Sequence, residues 1–224
     1  MDLSTVRFGM GTHSAITTPT GNRDMCIMEA VAYMAGEPWS DAPACASPVI
    51  SAFLRTWNDS LSDADRDRLL PAAVWVPRLV GSRGDDATEE RRAYLALDWL
   101  VRVHTPAWLD LVPSLAPHAA ALRALPEVLD TPSAQAAGSV VRAAQAATRT
   151  TTQAAAWDAA WDAARVAAWD AARAAARVAA LAAGDAAWVT TRDALRPTVE
   201  TLQQSALDLL DRMLVCGEHR KEEK

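Results

Sequence analysis

Between Ala154 and Trp188 the chain repeats a four-residue beat: one large or charged residue, a variable one, then Ala-Ala. Alanine makes up more than half of this stretch, AAAWDAAWDAARVAAWDAARAAARVAALAAGDAAW. Alanine is the strongest helix former, so the pattern predicts a long helix before any packing is considered. At about 100° per residue, Asp158, Asp162, Arg165, Asp170, Arg173 and Arg177 gather on one side. Trp157, Trp161, Val178, Leu181 and Val189 share the other side with a carpet of alanines, although Trp169 falls among the charges. Asp162 with Arg165, and Asp170 with Arg173, are three apart, a spacing that permits ion pairs of about 0.2–0.5 kcal/mol each. A face this thin lets a second helix approach closely, with Trp157, Trp161, Val178 and Leu181 as candidate anchors for a partner helix. The plainer reading packs the same face on the chain's own helices, where most amphipathic helices find their stability. Charges recur throughout the tract, far from the run of about 20 apolar residues that a membrane span requires.

Composition extends the helical reading to the whole chain. At 224 residues it is long enough to bury a real core as one large domain or two small ones. Abundant Ala, Leu, Asp and Arg with few β-branched runs predict an all-α protein. Its aromatic content is carried mostly by nine Trp against two Phe. A net charge of −6 argues against nucleic acid as a partner, since phosphate binding needs a positive face. The one basic cluster, His219-Arg-Lys-Glu-Glu-Lys224, is cancelled by its own glutamates. The first residues, MDLSTVRFGMGTHSAITTPTG, lack the apolar run of a secretory signal, so a cytoplasmic setting is expected. Cys26, Cys45 and Cys216 are odd in number and unframed in spacing, which makes a disulfide scaffold improbable.

Along the chain, residues 1–22 read as an extended arm or loop. Asn22 or Asp24 can cap a helix ending at Met34 or Ala35, with Gly36 where a C-terminal helix glycine belongs. The three prolines of Glu37–Pro48 predict a loop, and a helix from about Val49 to Trp57 follows. Ser62 opens another helix, and Pro71 and Pro77 are expected to divide what comes next into short pieces. After the Gly81–Asp86 loop, a helix from about Ala87 to His104 would set Tyr94, Leu97, Leu100, Val101 and His104 on one side. Five prolines from Pro106 to Pro132 punctuate short helices, and Thr131-Pro132 opens a long helical region. Thr150-Thr151-Thr152 reads as a break before the alanine tract, and Arg196-Pro197 as its end or a kink. A last helix carries Val199, Leu202, Ala206, Leu209, Leu210, Met213 and Leu214 on one face. A composition shift places a boundary near residue 132: a proline-punctuated body over 1–132, with its N-terminal arm, and an alanine-rich helical region over 133–224. Alanines bury little area each, so the second part is expected to lean on the first or on a second copy.

The stretch Cys26-Ile-Met-Glu-Ala-Val-Ala-Tyr-Met-Ala-Gly-Glu-Pro-Trp-Ser-Asp41 has the pattern C-x-M-E-A-x-A-Y-x-A-G-E-P-W-S-D. It continues through Pro43, Cys45, Ser47–Ile50 and Trp57-Asn58-Asp59, with further likeness at Leu97–Arg102, Thr105–Leu109, the alanine tract and Pro197–Ala206. Over most of its length the chain resembles a group of uncharacterised helical proteins of actinobacteria and their phages. The resemblance implies a bacterial or phage origin and a cytoplasmic setting, and it transfers no catalytic role.

The polar constellation that remains is His13, Cys26, Glu29, Asp41 and Cys45. Cys26 and Glu29 are three apart and share a helix face; the proline loop could return Asp41 and Cys45 to it, and the arm could bring His13. Thiolate, imidazole and carboxylate are all zinc ligands, and a four-coordinate site could be assembled from them. No C-x₂-C or H-x₃-H pair is present, and the plainer reading makes Cys26 a small core residue and Asp41 a cap. A Cys–His nucleophilic pair could draw on Cys26 or Cys45 with His13 or His104. Glu29 with Glu37, or Asp41 with Glu37, could supply a carboxylate pair for acid–base work, although paired acids in helical proteins are usually caps or solvated faces. Trp39 is either an exposed recognition residue or a plug whose indole N–H is satisfied locally. No phosphate loop, nucleophile elbow or dinucleotide fingerprint occurs. The expectation is therefore a non-enzymatic protein–protein interaction or assembly protein with no cofactor. The alternative is a metal- or thiol-dependent enzyme built on the cysteine-containing cluster.

Overall fold

The computed structural model describes residues 2–16, 19–151 and 194–216, and among these the fold is all-α. The described helices are α1 (Ile27–Ala35), α2 (Pro48–Ser60), α3 (Asp63–Leu69), α4 (Ala72–Leu79), α5 (Asp86–Trp99), α6 (Thr105–Leu109), α7 (Ala116–Arg123), α8 (Thr131–Thr151) and α9 (194–216). A π-helical turn, Leu100–His104, joins α5 to α6, and a 3₁₀ turn, Pro113–Leu115, precedes α7. The chain divides into two compact units, Met1–Arg92 with Leu210–Lys224, and Ala93–Leu209.

In the first unit α1 packs against α2 and α4. Its residues Ile27 to Ala32 are all buried, so this helix is enclosed nearly all round. Its start differs from the expectation of Asn22 or Asp24: Cys26 is the cap, its sulfur accepting the Glu29 N–H while the Glu29 carboxylate accepts the Cys26 N–H at 2.7 Å. Its end is as expected, with Gly36 left-handed at φ 69° and the N–H groups of Gly36 and Glu37 closing on Tyr33 and Ala32 carbonyls. Ser47 caps α2 through Ile50 N–H, with Pro48 in the first turn, and Ser62 caps α3 through Asp65 N–H. Ile50, Leu54 and Trp57 form the buried apolar stripe of α2, continued by Leu61 just past its end, and Ala72, Trp75, Val76 and Leu79 form that of α4. Pro77 lies inside α4 rather than ending it. The carbonyl it leaves unbonded belongs to exposed Ala73, where water can satisfy it.

Two buried arginines tie this unit together. Arg66 donates to the carbonyls of Asn58, Leu61 and Phe8 and to the Asp63 carboxylate. Arg92 donates to the carbonyls of Met213 and Ser82 and to Glu89. Glu89 in turn accepts from Ser47 Oγ and Gly84 N–H. Each guanidinium thus has several carbonyl partners and one carboxylate, the condition under which a buried charge is tolerated.

The second unit is built on α6, α7 and α8, with Leu109, Leu115, Ala119, Leu122 and Ala144 at its centre and Val101, Val112, Leu125, Val140 and Val141 around them. Of the side expected for the 87–104 helix, His104 is buried and Tyr94, Leu100 and Val101 are half-buried, but Leu97 is exposed, and Thr88, Arg92, Asp98 and Trp99 are buried in addition. The buried Asp98 carboxylate takes a two-pronged bond from Arg102 at 2.6 and 3.0 Å and a third from Val128 N–H at 2.9 Å. The helix also continues past His104 to Leu109. Its π turn moves the Thr105 N–H to the Leu100 carbonyl, one residue further back than in an α-helix, directly before Pro106, which has no N–H to give. Pro132 sits in the first turn of α8 as expected, with Asp130 capping it through Ser133 N–H at 2.8 Å. In α9 the expected face is buried at Leu202, Ala206, Leu209, Leu210, Met213 and Leu214 and half-buried at Val199. Arg196 and Pro197 lie within this helix instead of preceding it.

Candidate functional site

The N-terminal segment, expected as an arm, is part of the core of the first unit. Val6 and Phe8 are buried, and the segment runs beside residues 22–25 through an isolated parallel bridge between Arg7 and Asn22 and a bond from Gly9 N–H to the Met25 carbonyl. Asn58 Nδ2 donates to the Gly9 carbonyl at 2.8 Å, Gly11 N–H donates to Asp59 at 2.8 Å, and Arg23 donates to the Phe8 carbonyl at 3.0 Å. Gly9 is required by this close approach. A β-carbon there would lie 2.5 Å from the Arg23 carbonyl oxygen and 2.6 Å from His13 Nε2.

This threading carries His13 onto α1. Its main-chain N–H donates to Glu29 Oε1 at 2.6 Å, and its ring Nδ1 lies 2.8 Å from Glu29 Oε2. Cys26 N–H donates to the same Oε2 at 2.7 Å, so the fully buried carboxylate has both oxygens occupied by protein donors. The other ring nitrogen, Nε2, lies on the side of the ring that faces Gly9. Trp39 Nε1–H donates to the His13 carbonyl at 2.9 Å, which makes the half-buried indole a fastener of this segment.

His13, Cys26 and Glu29 of the expected constellation therefore meet. Asp41 is engaged elsewhere, accepting from Thr12 Oγ1 at 3.2 Å and pairing with Arg55 at 3.4 Å. Cys45 lies in the surroundings of Glu37, whose carboxylate accepts the Ala44 N–H at 2.6 Å. Among the described residues no three of His, Cys, Asp and Glu are grouped as a metal ion would need. All three thiols are free. Burial pushes the Cys26 thiol up to about 12, outweighing the Glu29 N–H that favours the thiolate, and the Glu29 carboxylate adds to the rise, so the thiol is protonated at neutral pH. Burial also raises Cys45.

His104, the other candidate base, is buried between Trp99 and Trp108, and desolvation lowers it to about 4. Its Nε2 accepts the Trp108 indole N–H at 3.2 Å, which requires the neutral ring. His104 lies inside a continuous helical run, since α6 follows the π turn directly. Trp157, Trp161, Val178 and Leu181 lie outside the described residues. The residues that sequence reasoning passed over are Arg23, Asn58, Asp59 and Arg66. Their bonds to the N-terminal segment span 15 to 58 positions, and no local spacing signals them.

No helix among the described residues is long and apolar enough to cross a membrane. Compared with family models, with curated proteins and with solved structures, the chain matches none.

Proposed function

We propose that the chain is a non-enzymatic helical protein that works by binding another protein, or a second copy of itself, through its alanine-rich helices. The observation that carries this reading is the state of Glu29, buried with both carboxylate oxygens already bonded to His13 and Cys26. The chemistry-bearing cluster nearest to a site is occupied with holding the N-terminal segment on α1. That leaves the thin face of Trp157, Trp161, Val178 and Leu181 as the feature with work to do outside the fold. The net charge of −6 supports a protein partner over a nucleic acid. The resemblance to actinobacterial and phage proteins supports a cytoplasmic setting. The metal- or thiol-dependent alternative has less support, since Cys26 is buried and protonated.

Native mass spectrometry of the purified chain tests the proposal. A metal-free dimer or larger species that the paired substitutions Trp157→Asp and Trp161→Asp reduce to a folded monomer supports it. A tightly held zinc-sized mass, or an assembly indifferent to both substitutions, overturns it.

A further inference from the structure

We draw no further inference here: the strongest candidate, the buried side-chain carbonyl oxygen of Asn58 on α2 beneath the N-terminal segment, has no hydrogen-bond donor among the described residues, and nothing in the structure shows what class of ligand would supply one.

Discussion

His13 Nδ1 lies 2.8 Å from Glu29 Oε2, and the main-chain N–H of the same histidine lies 2.6 Å from Glu29 Oε1. One carboxylate therefore holds both the backbone and the ring of a residue sixteen positions earlier, while also closing the capping box of α1 through Cys26. Charge-assisted bonds in a buried setting are the strong ones, and losing one partner strands the others.

Glu29→Ala leaves three donors without their acceptor. The expected loss is about 3 kcal/mol or more, since each buried donor left unsatisfied costs about 1–3 kcal/mol. Glu29→Gln, which keeps an acceptor oxygen, should lose less. Urea unfolding midpoints measure both, and a loss below about 1 kcal/mol for Glu29→Ala contradicts the clasp.

Gly9→Ala should destabilise by about 1–3 kcal/mol through overpacking, because its β-carbon would meet the Arg23 carbonyl and the His13 ring. Gly11→Ala differs in cause: no atom lies within 4 Å of its β-carbon, and only its φ of +83° opposes the change. Pairing Gly9→Ala with His13→Ala separates the two contacts. Relief of most of the Gly9→Ala cost in the double variant would assign the clash to the ring.

His104 makes stability depend on pH. Folding lowers its pKa from 6.5 to about 4, so the unfolded chain binds its proton first. The contribution is fully present above pH 6.5 and is lost as pH falls toward 4. The shift corresponds to about 3 kcal/mol. His104→Gln should flatten the stability profile across this window relative to the parent protein, and parallel profiles would contradict the assignment.

Cys26 should resist alkylation in the native protein. Its thiol is buried and protonated, whereas Cys45 and Cys216 are partly exposed. Peptide mapping after brief iodoacetamide treatment should find Cys26 unmodified until denaturant is added. Labelling of Cys26 as fast as Cys216 would count against its placement.

Trp157→Asp with Trp161→Asp should abolish self-association or partner capture without unfolding the described helices. Sedimentation velocity and circular dichroism together make the check. An unchanged mass with unchanged helicity removes the alanine tract from the functional reading.

What could be read from the sequence alone was local. The all-α class, the cap at Ser62, the glycine closing α1, Pro132 opening α8 and the buried face of α9 all follow from propensity, capping chemistry and helical period. These signals act over three or four residues. The tertiary structure decided which polar groups are buried. Glu29 meets His13 across sixteen positions, Asn58 meets Gly9 across forty-nine, and Arg92 meets Met213 across 121. It also buried polar residues that the apolar pattern of α5 did not mark: Asp98 turns inward to Arg102 and Val128 while Leu97 is left exposed. A charged residue can be buried only where distant partners converge on it, and that convergence exists only once the chain has folded.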